Sequence, residues 1–470
     1  MSFLPDTALQ DLKDLLGPKG FSMESDVLAA HNAEARGKFE GHAEIILFPA
    51  STDEVAKAVA ICAAHNIAVV PQGGNTGRCG GAVADDKQVL INLKRMNRVI
   101  EIDARDFTAT VEAGAILQNI QEAAEEQDLL FPLSLGAEGT CQIGGNLATN
   151  AGGLNVIRYG NARDLCLGLE VVLPDGSVWN GLSKLRKDNT GYDLRDLFIG
   201  AEGTLGIITK ATLKLFGQPK HVATAWVAVP TPECALDLLA LARRHTGDAI
   251  AAFELISKFA HDLSVTYLKG LTRPLASKTD WHVLIELTSS RPNDDLETLL
   301  VDLLGQAVEI GLASDATLAQ SEAQRENLWA IREGIPEAQG FEGGSIKHDV
   351  SVPISKVPDL LKRGMAAADA LIPGIRPCPF GHVGDGNIHF NFTQPATMDK
   401  DRYLAEWQSL NSVIHDIVTE LGGSISAEHG IGQLKRDELA HYASIEKLKL
   451  LRAIKDAIDP DGRLNPGKIV

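Results

Sequence analysis

Three glycine-rich runs within one stretch of mixed helix and strand pattern constrain the fold of this chain more than any other feature. They are PQGGNTGRCGGAV at 71–83, SLGAEGTCQIGGNLATNAGG at 134–153 and GAEGTLGI at 200–207. Glycine lets the backbone approach a ligand closely, and consecutive N–H groups can bind an anion such as a pyrophosphate. The first run has neither the GxGxxG order of a dinucleotide-binding fold nor the lysine of a P-loop. One such run alone is as typical of a tight turn as of a cofactor-binding loop. Three such runs together indicate a long ligand that contacts the backbone at several points.

The composition is typical of an ordinary globular protein and excludes several classes of partner. The 470 residues are too many for one hydrophobic core and predict two or three domains. The net charge of −18 argues against nucleic acid and against anionic lipid as partners. The six cysteines are scattered without a CxxC pair, so neither a disulfide framework nor a thiolate zinc site is predicted. We expect no membrane span and, because the first residues lack a secretory signal pattern, a cytoplasmic location.

The secondary-structure pattern predicts an α+β protein. Ser51 and Glu54 form a capping box, which predicts that a helix begins there. Further along the chain, apolar runs separated by helical stretches predict an antiparallel sheet with helices on one side; these runs lie at 225–230, 251–256 and 281–287. The regular strand–helix alternation of a doubly wound sheet is missing, which favours the α+β class.

The run GHVGDGNIHFN at 381–391 predicts a β-hairpin with two histidines near its turn. Gly-Asp-Gly-Asn supplies the turn, so that Val383 pairs with Ile388 and His382 lies across from His389. Cross-strand neighbours on one face have Cβ atoms about 5 Å apart, which suits two imidazoles that share a metal ion. From the residues alone, a hairpin with two polar side chains facing solvent remains the alternative.

The order of these motifs resembles a known family. The glycine runs, together with RKDNTGYDL at 186–194, are similar to the FAD domain of the vanillyl-alcohol oxidase/p-cresol methylhydroxylase superfamily. Three later motifs resemble one branch of this superfamily, the D-2-hydroxy-acid dehydrogenases, among which the D-2-hydroxyglutarate dehydrogenases are nearest. These motifs are GHVGDGNIHFN, AEHGIG at 427–432 and LNPGK at 464–468. The sequence pattern, which changes near Gly217 to Pro219, and the resemblance together predict four segments. They are a helical N-terminal segment at 1–40, a two-subdomain FAD-binding domain at 41–218, an antiparallel-sheet substrate domain with covering helices at 219–395, and a helical C-terminal segment at 396–470 that completes the active site.

The resemblance implies that FAD lies along the three glycine runs. In that family the first run wraps the pyrophosphate, the second flanks the isoalloxazine and the ribityl chain, and Ile207 of the third contacts the adenine end. The first run has no histidine for a covalent flavin linkage, so we expect non-covalent FAD. The implied cofactor-binding residues are Pro71, Gly73, Gly74, Asn75, Thr76, Gly77, Ser134, Gly139, Gly144, Gly145, Asn150, Gly152, Gly153, Ile207 and Asn465.

The resemblance also implies a metal, a base and a substrate site. It assigns His382, His389 and Glu428 as ligands of a divalent ion, and such a ligand set suits zinc or manganese. It assigns the adjoining His429 as the base that removes a proton. The implied substrate contacts are Arg332, Lys347 and Asn391. Without the resemblance, a solvated helix face for Arg332 and a strand edge for Lys347 would be the more usual interpretation.

The expected reaction is the oxidation of a D-2-hydroxy acid to the 2-oxo acid. His429 would take the hydroxyl proton and flavin N5 the hydride from C2. D-2-hydroxyglutarate is the first candidate, but Pro336 stands where the hydroxyglutarate enzymes typically have a threonine, and proline offers neither a hydroxyl nor an N–H. D-lactate or D-malate, and an oxidase instead of a dehydrogenase, therefore remain alternatives. A nucleotide-binding module without redox chemistry is the alternative outside the class. The expected partners are a small anionic hydroxy acid, an electron-accepting protein or quinone, and a second copy in a homodimer.

Overall fold

A computed structural model describes residues 4–34 and 37–470 of the chain. These residues form two compact units. The first unit contains the described residues up to Gly153 together with Tyr159–Gln218 and Glu428–Val470, and the second contains Leu154–Arg158 and Pro219–Ala427. The division at 1–40, 41–218, 219–395 and 396–470 stays a prediction. Its first segment includes residues 1–3 and 35–36, which lie outside the described part.

Short strands and helices alternate irregularly before residue 219. The helices are α1 Asp6–Leu16, α2 Ser25–Asn32, α3 Thr52–Ala64, α4 Leu117–Glu125, α5 Ile143–Ala148, α6 Val156–Tyr159 and α7 Arg195–Phe198. The strands are β1 Phe21–Ser22, β2 Ile46–Leu47, β3 Ala68–Gln72, β4 Gln88–Asn92, β5 Val99–Asp103, β6 Thr108–Glu112, β7 Leu129–Leu130, β8 Cys166–Val172, β9 Val178–Gly181, β10 Ile207–Lys214 and β11 Phe216–Gly217.

The first unit contains a four-stranded mixed sheet, a five-stranded antiparallel sheet and a two-stranded pair. The four-stranded sheet has the order β1-β2-β4-β3, the five-stranded sheet has the order β5-β6-β10-β8-β9, and β11 pairs with β7. The capping prediction is confirmed, because the Ser51 side chain accepts a hydrogen bond from the Glu54 N–H at the start of α3. One buried apolar cluster joins α1, α3 and strands of both larger sheets.

The second unit is built on one large antiparallel sheet. Its strands are β12 His221–Val229, β13 Ile250–Ser257, β14 Trp281–Ser289, β15 Asp315–Leu318, β16 Ser345–Ile346, β17 Asp349–Ser351, β18 Arg376–Gly381 and β19 Asn387–Thr393. Their order is β15-β12-β14-β13-β18-β19-β16, and β17 also pairs with β19. Its helices are α8 Pro232–Thr246, α9 Lys258–Tyr267, α10 Leu296–Glu309, α11 Glu322–Glu333, α12 Ile335–Ala338, α13 Val357–Leu371, α14 Lys400–Ala405 and α15 Trp407–Glu420.

Helices cover both faces of this sheet, so the prediction of helices on one side is wrong. Val227 on β12 packs in a cluster with residues of α8 and α10. The next residue back, Trp226, points to the opposite face and packs with residues of α9, α11 and α12. The strands are therefore apolar on both faces, which hides the alternation that a one-sided sheet would show. The mixture of antiparallel sheets and helices confirms the α+β class.

The last residues of the chain return to the first unit. Two helices, α16 Arg436–Tyr442 and α17 Ile445–Ile458, lead to a segment that runs beside β3. There Leu464 forms a parallel bridge with Val69, and the Asn465 N–H donates to the Val69 carbonyl. In the described part of the chain, each helix is too short or too polar to span a bilayer.

The hairpin at 381–391 exists, but its predicted register is wrong. His389 lies opposite Phe380, not opposite His382. Gly381 has a φ of 147°, and the Val383 N–H donates back to the Gly381 carbonyl, which takes the following residues out of the ladder. Despite this shift, the ring centroids of His382 and His389 lie 5.4 Å apart. A bend, rather than direct cross-strand pairing, brings the two imidazoles together.

Candidate active site

A cavity of the first unit is lined by residues from all three glycine-rich runs and from the segment that follows Glu428. Because the runs are far apart in sequence and meet at one cavity, a single long ligand would contact each of them. Of the residues predicted from the sequence, the following line the cavity: Pro71, Gly73, Gly74, Asn75, Thr76, Gly77, Gly144, Gly145, Ile207 and His429. Their contacts with a cofactor stay predictions.

Six predicted cofactor residues, within the described part of the chain, are not among those that line this cavity: Ser134, Gly139, Asn150, Gly152, Gly153 and Asn465. Asn465 nevertheless lies beside it, because its side-chain amide donates to the carbonyls of Gly81 and Glu202 at 2.8 and 2.7 Å, and both of these residues line the cavity. The Asn150 side chain accepts a hydrogen bond from the Arg163 N–H instead.

Close backbone contact explains why glycine is needed where the first two runs meet. A Cβ on Gly74 would lie 2.2 Å from the Thr140 carbonyl oxygen, which no side chain can tolerate. Likewise, Gly153 has a φ of 139°, and a Cβ there would lie 1.9 Å from the Ser134 carbonyl oxygen. A wall made of backbone leaves N–H groups within reach of a bound phosphate. The residues present therefore fit a dinucleotide such as FAD.

The segment that carries His429 is held by a buried carboxylate that the sequence analysis missed. Glu202, 8% exposed, lies in the third glycine run. Its two carboxylate oxygens accept hydrogen bonds from the N–H groups of Ile431 and Gly432 at 2.7 and 2.8 Å. Burial raises the pKa of Glu202 although both hydrogen bonds act in the opposite direction. The available signal was an acidic residue directly before a glycine in an otherwise uncharged loop.

The two predicted histidine ligands form a cluster in the second unit. One nitrogen of His382 lies within 4.8 Å of one nitrogen of His389, and Glu428 as the third ligand stays a prediction. The residue before Glu428 is held by the strand next to His389. The N–H of the preceding residue, Ala427, donates to the Asp349 carbonyl, and Asp349 pairs with His389 between β17 and β19.

Each histidine of the cluster has a buried carboxylate beside its Nδ1. Nδ1 of His382 lies 2.5 Å from Oε1 of Glu254, which is fully buried on β13. Nδ1 of His389 lies 3.8 Å from Oδ1 of Asp349, which also accepts from the Asn387 amide. The carboxylate at hydrogen-bond distance from Nδ1 of His382 favours the tautomer whose lone pair is on Nε2, where a metal can bind. The 3.8 Å separation at His389 is too long for a hydrogen bond and places only a negative charge nearby. Two imidazoles beside buried carboxylates therefore fit a divalent ion.

Glu254 is the second carboxylate that the sequence analysis missed. Its other oxygen, Oε2, lies 2.5 Å from Nε of Arg332. Burial acts to raise the pKa of Glu254, but the charges of Arg332 and His382 outweigh it and lower the pKa to about 2. The carboxylate is therefore ionised at neutral pH. The signal in the sequence was a single acidic residue inside the apolar run AAFELI, because a buried charge needs partners.

Arg332 does not lie on a solvated helix face. It is 5% exposed, and its guanidinium carbon lies 4.8 Å from the ring centroid of Phe380. Phe380 in turn packs against His389, with ring centroids 5.1 Å apart. The side chain that was predicted to bind substrate thus belongs to the same group of contacts as the two histidines.

The other two predicted substrate residues lie near this group in sequence and in the sheet. Lys347 is half-buried between β16 and β17, and its ammonium donates to the Pro336 carbonyl at 3.4 Å. Asn391, 3% exposed, lies on β19 two residues after His389, and its amide donates to Gln339. Contacts of both residues with a substrate stay predictions.

Comparisons with known proteins agree with the resemblance. Residues 218–469 match the family model described as FAD linked oxidases, C-terminal domain, and residues 43–181 match the FAD binding domain. A protein of Oryza sativa subsp. indica, named "Probable D-2-hydroxyglutarate dehydrogenase, mitochondrial", is 40% identical over 461 residues, which cover 97% of this chain and 80% of that protein. The D-2-hydroxyglutarate dehydrogenase of Stutzerimonas stutzeri (strain A1501) is 36% identical over 471 residues, which cover 99% of each.

The fold also matches solved structures. The crystal structure of p-cresol methylhydroxylase with substrate bound aligns with a TM-score of 0.76 over 99% of this chain and 96% of that chain, at 20% identity. This likeness confirms the predicted fold type. The identity is too low to transfer the chemistry of that protein.

Proposed function

The chain belongs to the FAD-linked oxidase family and is an FAD-dependent oxidoreductase that acts on a hydroxy acid, and from this premise we propose that it is a metal-dependent D-2-hydroxy-acid dehydrogenase. The substrate that we propose first is D-2-hydroxyglutarate, which the relatives' names mention. The product is the 2-oxo acid. Electrons then leave for a separate acceptor, a protein or a quinone.

The single observation that carries the proposal is the cluster of His382 and His389, each beside a buried carboxylate of the second unit. A module that only binds a nucleotide has no use for two imidazoles backed by buried carboxylates. The cluster therefore favours the enzyme over the binding module. Glu428 and His429 are consecutive, so the proposed base lies one peptide unit from a proposed ligand.

The proposed reaction removes one proton and one hydride from the substrate. When bound, FAD would accept the hydride from C2, and the divalent ion would lower the pKa of the substrate hydroxyl. His429 takes the hydroxyl proton on a ring nitrogen, as suits an imidazole whose ordinary pKa lies near neutrality. As the O–H and C2–H bonds break, the C2–O single bond becomes the carbonyl of the product.

Cationic side chains would orient the anionic substrate on this acidic protein. Arg332 uses Nε for Glu254, and we assign its two terminal amino groups to a substrate carboxylate, which a guanidinium can bind in a bidentate way. Lys347 would supply a second positive charge, and Asn391 a hydrogen bond. Each of these three residues belongs to the second unit.

Pro336 favours D-lactate or D-malate as a second candidate substrate. It lies in the first turn of α12 and offers no hydroxyl for a distal carboxylate, while its carbonyl already accepts from Lys347. D-lactate has no distal carboxylate and would not need that contact, and the distal carboxylate of D-malate lies one methylene closer to C2 than that of D-2-hydroxyglutarate. The difference concerns substrate choice and leaves the proposed chemistry unchanged.

A panel of substrates under anaerobic conditions tests the proposal. The purified protein, loaded with FAD and with Zn²⁺ or Mn²⁺, is mixed with D-2-hydroxyglutarate, D-malate and D-lactate, each with its L-enantiomer as the control. We expect the flavin absorbance to bleach with at least one D-enantiomer and with none of the L-enantiomers. An absorbance that no member of the panel changes would contradict the proposal. Rapid reoxidation by oxygen would instead favour the oxidase. The homodimer and the cytoplasmic location stay predictions.

A further inference from the structure

Glu254 hydrogen-bonds both to a proposed metal ligand, His382, and to the proposed substrate arginine, Arg332. Its carboxylate is completely buried on the central strand β13. Oε1 lies 2.5 Å from Nδ1 of His382, and Oε2 lies 2.5 Å from Nε of Arg332. Each carboxylate oxygen therefore contacts a different partner, and the two partners are held by one side chain.

Both partners of Glu254 are buried. Arg332 is 5% exposed and His382 is 6% exposed. Arg332 comes from the last turn of α11, whereas His382 comes from the bend after β18. Two parts of the second unit that are separate in sequence thus meet at one carboxylate.

From this geometry we propose that Glu254 is a positioning residue that couples metal binding to substrate binding. The inference rests on the proposed function, because it takes His382 as a ligand and Arg332 as the carboxylate-binding residue. Glu254 accepts from Nδ1–H of His382 and so presents Nε2 to the ion. It accepts at the same time from Nε–H of Arg332 and so directs the terminal amino groups toward the substrate.

Only a carboxylate can serve both partners, because both of them donate. A glutamine has one acceptor oxygen and one NH₂ group. If its oxygen faces Arg332, its NH₂ faces His382, which must then accept at Nδ1 and carry its proton on Nε2, where the ion would bind. If its oxygen faces His382, its NH₂ meets the guanidinium. One of the two sites is impaired in either orientation.

An alternative is that Glu254 only neutralises a buried arginine and stabilises the fold. In that case its replacement lowers the melting temperature but leaves the affinity for metal unchanged in the protein that remains folded. Metal affinity, rather than activity or stability, therefore separates the two explanations.

The test compares Glu254→Gln and Arg332→Lys with the wild-type protein. Glu286→Gln is the matched control, because Glu286 is also buried, lies on the adjacent strand β14, and accepts from Thr224 and Trp329. The Kd for Zn²⁺ and for Mn²⁺ is measured by competition with a chromophoric chelator on the FAD-loaded full-length chain. KM and kcat are measured with the hydroxy acid that bleaches the wild type, and the melting temperature of each variant is recorded.

We expect Glu254→Gln to raise the metal Kd by about 10- to 100-fold, as loss of an outer carboxylate typically does. We expect Arg332→Lys to raise both KM and, through Glu254, the metal Kd, whereas Glu286→Gln leaves both unchanged. If Glu254→Gln does not fold, the metal Kd of Arg332→Lys decides the question. A metal Kd within twofold of the wild type in every folded variant overturns the coupling. A wild-type protein that binds no metal overturns the proposed metal dependence itself and the coupling with it.

Discussion

His429 lines the cavity of the first unit, and its neighbour Glu428 is the proposed third metal ligand. Adjacent residues can perform two tasks here because the backbone turns at Gly430, whose φ is 75°. At the scale of single residues, the proposed oxidation depends on this pair more directly than on any other.

We expect His429→Asn to slow flavin reduction by a D-2-hydroxy acid by about 100- to 10,000-fold, because the hydroxyl proton loses its acceptor. FAD should stay bound, because the contacts proposed between the cofactor and the first glycine run are made by the backbone and not by the His429 side chain. Anaerobic stopped-flow absorbance measures the rate, and the flavin spectrum measures the bound cofactor. His441→Asn, an exposed histidine on α16, is the control. An unchanged rate in His429→Asn would remove the residue from the role of base.

A second histidine effect concerns stability and not catalysis. His282 and His261 are buried with their ring centroids 4.6 Å apart, and both pack against Trp226. Burial, followed by the nearby His261, lowers the pKa of His282 to about 3, although Asp262 acts in the opposite direction. The unfolded chain has an ordinary histidine pKa near 6.5, so it takes up the proton first as the pH falls.

The stabilisation from neutral His282 is therefore complete above about pH 6.5 and decreases as the pH falls toward about 3. Between pH 7.5 and pH 5 we expect the wild type to lose about 2 kcal/mol of unfolding free energy through this residue. His282→Gln should show a smaller loss, and the exposed His245→Gln should behave like the wild type. Melting temperatures of the second unit's transition at the two pH values measure the difference. Equal pH dependence in all three proteins would contradict the assignment.

At the scale of elements, the third glycine run and the segment at 430–434 act as one piece. Glu202 accepts from Ile431 and Gly432, and the Gln433 N–H donates to the Cys79 carbonyl in the first run. The loop that bears the proposed base is thereby tied to the wall of the cavity.

We expect Glu202→Ala to speed amide hydrogen exchange at Ile431 and Gly432 by about 10- to 100-fold, because both N–H groups lose their acceptor and an unsatisfied buried donor costs about 1–3 kcal/mol. Exchange is measured by mass spectrometry on the FAD-loaded protein. Glu170→Ala, which removes another buried glutamate of the first unit, should leave exchange at these two amides unchanged. The tie is refuted if both variants exchange like the wild type.

The elements show which features the sequence could predict and which it could not. The helix after Ser51 was predictable because its cap uses residues three positions apart. The register of the hairpin was not, because it depends on the φ of Gly381 and on a hydrogen bond inside the turn. Glu254 and Glu202 were missed because a lone acidic residue in an apolar run does not reveal its partners, which lie 78 and 128 residues away for Glu254. The assignment of His382, His389 and Glu428 as one ligand set came from family resemblance and not from spacing.

At the scale of the whole molecule, the proposed cofactor residues and the proposed histidine ligands lie in different parts of the chain. The cavity is lined by residues of the first unit, and both histidines belong to the second. Loss of the ion should therefore stop the reaction without removing the flavin.

We expect treatment with a strong chelator to inactivate the enzyme while the flavin absorbance stays unchanged. Addition of Zn²⁺ or Mn²⁺, but not of Mg²⁺, should restore activity, because imidazole ligands favour the first two ions over Mg²⁺. The metal content before and after treatment is measured by elemental analysis. Full activity in protein shown to be free of metal would contradict the metal assignment.

The segment that pairs with β3 has a consequence for how the protein is made. Asn465 reaches the Val69 backbone and two residues that line the cavity, whereas the long segment Pro219–Ala427 of the second unit is continuous. During synthesis, that segment leaves the ribosome before residue 465 does, and it can begin to fold before Asn465 is able to reach Val69. Completion of the cavity wall therefore depends on a part of the chain that is made after the continuous segment of the second unit.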